Sequence, residues 1–154
     1  MERRITGFVE DEAGDPVAQL ECGHRRHVRH DPPLSERPWV LDPAERSARI
    51  GTLLGCARCQ RRELPEGFIE YKRTATFTEE TLPAGLRSRH TTKPGIWALI
   101  HVERGRLRYR IHEPFHEEQI LEPGTAGVVL PDVPHEVEPL GPVRVAVAFH
   151  QRRA

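Results

Sequence analysis

The chain has 154 residues with 23 basic and 23 acidic side chains. Its formal charge is therefore zero, which excludes a bulk basic footprint for nucleic acid. No apolar run approaches the roughly twenty residues that span a bilayer, and Met1-Glu2-Arg3-Arg4 leads into a short strand rather than a secretory apolar core. These features predict a cytoplasmic protein with no membrane partner.

Residues 5–10 and 17–22 read as two strands around Asp11-Glu12-Ala13-Gly14-Asp15-Pro16, whose Asp, Gly and Pro suit a hairpin loop. Asp31-Pro32-Pro33 and Arg37-Pro38-Trp39 make an extended segment that cannot be helix interior, and Trp39 is expected to pack over the small core. Asp42-Pro43-Ala44-Glu45 combines an N-cap, a proline at the first position and a glutamate at the third. The spacing predicts a helix from there to Gly55, with Ala48, Ile50, Leu53 and Leu54 giving its apolar face.

All three cysteines fall in this first third, at Cys22, Cys56 and Cys59. Cys22-Gly23-His24 and Cys56-x-x-Cys59 have the spacing of two zinc-ligand pairs, and a module of about sixty residues buries little without such a staple. The fourth ligand comes from His24, His27 or His30. The competing reading is three buried reduced thiols with surface histidines. A disulfide framework is disfavoured by the odd cysteine count. Arg25, Arg26 and Arg29 flank one pair and Arg58, Arg61 and Arg62 the other, so a shared metal would gather six arginines.

From Leu64 onward the periodicity becomes two, and short strands recur between Gly and Pro. Residues 96–102 are strongly apolar. Leu107, Tyr109 and Ile111 alternate so strictly that they are expected to face a core, and Val143, Val145, Val147 and Phe149 repeat the pattern. With further strands near residues 120–121, 127–130 and 135–137, seven or eight strands in ninety residues predict a sandwich or jelly roll. The fold class is thus mainly β: a zinc-stabilised hairpin and helix module over residues 1–63, followed by a β domain over residues 64–154.

The pairing of Cys22-Gly23-His24 with a distal Cys56-x-x-Cys59 is similar to one of the two zinc sites of RING-type fingers. That resemblance favours His24 as the fourth ligand, with His27 as the alternative. A set of further positions resembles a small bacterial family and implies no function: Gly7-Phe8, His27-Val28-Arg29-His30, Pro32-Pro33 and Arg37-Pro38-Trp39-Val40. The C-terminal stretch carries Tyr71-Lys72-Arg73-Thr74, Thr81-Leu82-Pro83-Ala84-Gly85-Leu86, His90-Thr91-Thr92-Lys93-Pro94-Gly95-Ile96-Trp97, Gly105-Arg106-Leu107 and Pro131 through His135. In order and spacing these resemble the cupin domain of YeaR-like proteins and of TehB-type tellurite-resistance methyltransferases. The resemblance implies a double-stranded β-helix linked to tellurite or nitrate stress responses. The methyltransferase domain has no counterpart here, so S-adenosylmethionine chemistry is not carried over.

Metal-binding cupins present two histidines and a glutamate in one motif and a histidine in a second. By that resemblance His135 stands at the second-motif position, while Thr92, Pro94 and Ala98 replace the first set. His90 and His101 are the remaining candidates, His101 on the assumption that its strand face with Trp97 and Leu99 lines the barrel. Lys93 is one of only two lysines beside 21 arginines, and an ammonium near His90 suits an oxyanion or carboxylate. His90, Lys93, His101 and His135 are thus the candidate pocket, for a small anionic molecule or a second divalent metal. No complete catalytic motif is present. An enzyme on this scaffold would be a metal-dependent cupin such as a dioxygenase, isomerase or reductase. A nucleic-acid or protein interaction module built on the arginines is the other alternative, and edge strands would offer a homodimer contact.

Overall fold

Side chains of period two place Ile5, Ala18 and Leu20 on a buried face while Glu2 and Arg4 point to solvent. The structure, a computed structural model, describes residues 1–28 and 37–154, and it divides into two units, Met1–Glu66 and Gly67–Ala154. Arg29, His30 and Pro32-Pro33 lie outside the described residues.

In the first unit β1 (Glu2–Glu10) pairs antiparallel with β2 (Pro16–Leu20), and β3 (Arg25–His27) follows beyond β2. Asp11 closes the hairpin, its Oδ1 accepting from the amides of Ala13 and Asp15 at 2.9 Å. On its other side β1 pairs antiparallel with β4 (Leu53–Gly55), giving the order β3-β2-β1-β4. Because β2 and β4 both oppose β1, they run parallel to each other and end beside the start of β1. Cys22 follows β2 and Cys56 follows β4, so the topology itself brings the two ligand pairs together.

Helix α1 (Pro43–Arg49) starts where the sequence places it, with Asp42 Oδ1 accepting from the Ala44 amide at 2.8 Å. Its end differs from the expectation. Gly51 adopts φ +88° and turns the chain, after which Leu53–Gly55 joins the sheet rather than extending the helix to Gly55. The strand wins because pairing with β1 satisfies the backbone and buries Leu54, whereas α1 buries no residue. A second short helix, α2 (Ala57–Gln60), begins directly after Cys56. Trp39 is half-buried: it meets Phe8 edge-on at 6.0 Å, and the Arg49 guanidinium lies 4.9 Å above its ring.

The second unit contains β5 (Phe68–Arg73), β6 (Phe77–Thr78), β7 (Trp97–Arg104), β8 (Leu107–Ile111), β9 (Glu117–Leu121), β10 (Gly127–Val129), β11 (His135–Pro139) and β12 (Arg144–Arg152). They form one sheet in the order β10-β7-β12-β5, with β6 also on β12, and another in the order β11-β8-β9. Every neighbouring pair is antiparallel. Leu107, Tyr109, Ile111 and Leu121 from one sheet and Ile100, Val129 and Val145 from the other are buried. This is a double-stranded β-helix of cupin type. Among the described residues no helix is long and apolar enough to cross a membrane.

Candidate metal centre and ligand cavity

The turn after β2 is closed by the Gly23 amide donating to Leu20 O at 2.9 Å and the Leu20 amide donating to His24 O at 3.0 Å. Gly23 sits at φ +97°, a conformation a side chain strains, which lets Cys22 and His24 face the same point. Across from them Cys56 caps α2, its Sγ accepting from the Cys59 amide at 3.4 Å. The four donors are buried and lie within 4.8 Å of one another.

Their spacing is that of a coordination shell. His24 Nδ1 is 3.4 Å from Cys22 Sγ, 3.4 Å from Cys56 Sγ and 3.6 Å from Cys59 Sγ, and Cys22 Sγ is 3.9 Å from Cys56 Sγ. Around a tetrahedral zinc with bonds of about 2.3 Å to sulfur and about 2.0 Å to nitrogen, those edges are about 3.5 Å for S···N and about 3.8 Å for S···S. The second ring nitrogen, His24 Nε2, donates to Glu63 O at 2.7 Å, the outer hydrogen bond that fixes a ligating imidazole in its tautomer. No disulfide joins the three cysteines. Contact with Cys56 and Cys59, added to burial, pushes the Cys22 thiol well above its usual range, while contact with Cys22, Cys59 and His24 holds Cys56 well below it. Burial opposes charge on His24, but its contacts with Cys56 and Cys59 outweigh it and lift the imidazole to about 9.

His27, the alternative fourth ligand, is directed elsewhere. Its Nε2 lies 3.8 Å from Asp11 Oδ2 and 3.7 Å from Asp15 Oδ2, both in the hairpin loop beside β3. His24 occupies the fourth corner because the tight turn puts it, and not the strand residue three positions on, opposite α2. Arg25, Arg26, Arg58 and Arg61 do border one depression beside this cluster. Arg26 is spent on Gly55 O at 2.7 Å, and Arg61 and Arg58 share Glu63 at 2.6 and 3.6 Å.

In the second unit the two sheets enclose a cavity of about 310 Å³. Its wall is apolar, with Leu86, Ile100, Val129, Val145, Val147 and Phe149 among the lining residues. His90, Lys93 and His135 all line it, and so does Lys72. His90 and His135 exchange backbone hydrogen bonds at 3.0 and 2.9 Å, and their rings lie against each other, tilted by 57°, with centroids 4.1 Å apart. Each Nδ1 donates to a backbone carbonyl, His90 to Ser88 O at 2.8 Å and His135 to Val133 O at 2.9 Å. A carbonyl only accepts, so each Nε2 is left with its lone pair. Tyr109 meets the His135 ring edge-on at 6.0 Å and anchors its own hydroxyl on Val128 O at 2.8 Å. Burial holds the His135 imidazole down at about 4, and the nearby His90 and His112 push the same way.

His101 does not line this cavity. It shares a face of β7 with Trp97 and Leu99, as the alternation requires, but the cavity face is the other one, carrying Ala98 and Ile100. On its own face His101 acts on Glu70 and His150. Thr92 and Ala98, at two of the positions expected for metal donors, do line the cavity. Lys72 escaped the sequence reading although composition held the signal: the chain has two lysines, and both line the same cavity. Among the described residues no carboxylate lines it.

The fold and sites thus define a cupin-type domain with a cation-rimmed apolar cavity, accompanied by a small β module with a buried Cys₃His cluster. Residues 72–147 match the TehB-like domain, and residues 6–63 match a protein family of unknown function, DUF3565. The Escherichia coli K12 protein YeaR is 26% identical over 84 residues, covering 49% of this chain and 71% of YeaR. A crystal structure of an E. coli K12 protein superposes with TM-score 0.55 at 23% identity, covering 60% of this chain and 98% of that one. TehB from Haemophilus influenzae superposes with TM-score 0.52 at 26% identity, over 56% of this chain and 32% of TehB. The relationship of the C-terminal domain to YeaR and TehB is borne out. The chain spans about a third of TehB.

Proposed function

We propose that this is a cytoplasmic stress-response protein of the tellurite or nitrate type, in which a structural zinc module is joined to a cupin domain that binds a small anionic ligand. The observation that carries the ligand reading is the gathering of His90, Lys93, Lys72 and His135 around one cavity with no lining carboxylate. Neither lysine has an acidic partner among the described residues, so their charge is available to an anion. The test is a titration with nitrite, tellurite, sulfate and small carboxylates while thermal stability is followed. A ligand-dependent rise in Tm that Lys93→Ala diminishes is the expected result, and no rise with any anion would remove the reading.

Zinc is the ion that the first site suits. Three thiolates and an imidazole at tetrahedral edges complete a four-coordinate shell and leave no position for water, which argues for a structural role. Cys22, His24, Cys56 and Cys59 would hold it, and Glu63 O would orient His24.

The paired imidazoles support a second reading, a metal-dependent cupin enzyme, since two Nε2 lone pairs beside one cavity are donors for a first-row ion. With His101 on the opposite face and no carboxylate, the set stops at two, which makes anion binding the better-supported reading. Metal that copurifies in excess of one zinc and leaves in His135→Asn would reverse that preference.

A further inference from the structure

Resting on the anion-binding reading above, we propose that the cavity takes an organic hydroxy acid: an apolar body in the barrel, a carboxylate at Lys72 and Lys93, and a hydroxyl at the paired imidazoles. Three observations lead there independently.

The first is the match of volume to wall. A cavity of about 310 Å³ holds roughly ten water volumes of about 30 Å³ each, and it falls at the lower end of sites that enclose organic ligands. An inorganic oxyanion fills a small part of that space. It would also shed strongly held water to sit against Val129, Val145, Val147 and Phe149, with no polar return from those side chains. A hydrocarbon body of five to eight carbons gains from the same surface.

The second is the placement of cations. Arginine outnumbers lysine by 21 to 2 in this chain, yet no arginine lines the cavity and both lysines do. Both are exposed residues, so their ammonium groups reach the rim without being buried. A compact ammonium on a flexible stem closes on a carboxylate at the mouth while its stem covers apolar surface.

The third is the proton inventory of the histidines. With Nδ1 of His90 and His135 both donating to main-chain carbonyls, the nitrogen that each ring in its neutral form has left is an acceptor. Burial keeps His135 neutral at physiological pH. A neutral acceptor does not attract an anionic oxygen; it needs a donated hydrogen, which a hydroxyl beside the carboxylate supplies. The site therefore asks one ligand for an anionic group, a donor and an apolar body.

Isothermal titration calorimetry of the full chain at pH 7.5 tests this with 2-hydroxybenzoate and 2-hydroxy-4-methylpentanoate, each against its analogue without the hydroxyl, and with nitrite, tellurite, sulfate, zinc and nickel as controls. Saturable binding of a hydroxy acid is expected, at least about fivefold tighter than its analogue, with the negative heat-capacity change of apolar burial. Lys72→Ala and Lys93→Ala should each weaken it about tenfold. Ala98→Phe, which fills the cavity, should abolish it in a protein of unchanged circular dichroism; if that variant does not fold, the two exposed lysine variants decide the matter. Equal affinity with and without the hydroxyl overturns the role given to the imidazoles. Inorganic oxyanions that bind as tightly as the organic acids overturn the ligand class while leaving the anion site standing. Binding of divalent metal alone, or of no probe, overturns both.

Discussion

The two sites solve opposite problems. Cys22, His24, Cys56 and Cys59 are buried and complete among themselves, each donor within 4.8 Å of the others, so the site has an inside and no entrance. His90, His135, Lys72 and Lys93 line a cavity whose lysines are exposed and whose imidazoles keep an unused nitrogen each. A closed donor set stabilises a fold; on the reading proposed above, the open one takes a ligand that arrives and leaves. The stabilising forces differ accordingly. The first unit buries few large side chains, and its helix α1 buries none. In the second, two sheets close over Leu107, Tyr109, Ile111 and Leu121.

The largest effect that sharpens this contrast is expected from Cys56→Ser. Structural zinc sites hold on the order of 10 kcal/mol of folding free energy, so this variant should lose its metal, and residues 1–66 should become protease-sensitive together. A variant that keeps stoichiometric metal and full resistance would show that Cys56 is not a ligand. In the second unit the comparable break is Leu121→Ala, which empties a fully buried position and should cost about 2–5 kcal/mol in denaturant unfolding with metal content unchanged.

A third prediction separates the units by pH. His135 has its pKa depressed from 6.5 to about 4 in the folded state, chiefly by burial. The unfolded chain therefore binds more protons between those values, and stability rises with pH across the window. The contribution is complete above about 6.5, declines as pH falls toward 4, and amounts to roughly 3 kcal/mol at about 1.4 kcal/mol per pKa unit. His135→Asn, whose amide can still donate to Val133 O, should flatten the difference between pH 7 and pH 4 relative to the unmodified protein. The smallest effect belongs to the N-cap: Asp42→Ala should cost about 1 kcal/mol, read as a modest loss of helical signal, since α1 contributes nothing to the core.

How far the sequence disclosed these sites follows from the same contrast. Cysteine and histidine at short spacings have few roles, so the ligand pairs stand out even in a single chain, and the tight turn at Gly23 selects His24 over His27. The strands of the second unit are legible because alternation marks them: β7, β8, β10, β11 and β12 fall within a few residues of the expected runs. Two features were not legible. Whether residues 50–55 continue α1 or pair with β1 depends on a partner strand fifty residues away, and local helix signals do not contain it. Which face of β7 is the cavity face depends on what covers each side, so parity grouped His101 with Trp97 and Leu99 but could not tell inside from outside. Lys72 shows the same limit, since it comes to Lys93 only through the fold.

Elemental analysis of untagged protein, purified without added metal and compared across the unmodified chain, Cys56→Ser and His135→Asn, tests the division of labour most directly. The account predicts one zinc per chain in the unmodified protein and in His135→Asn, and none in Cys56→Ser. A second equivalent of metal that disappears in His135→Asn, or zinc that persists in Cys56→Ser, would contradict it.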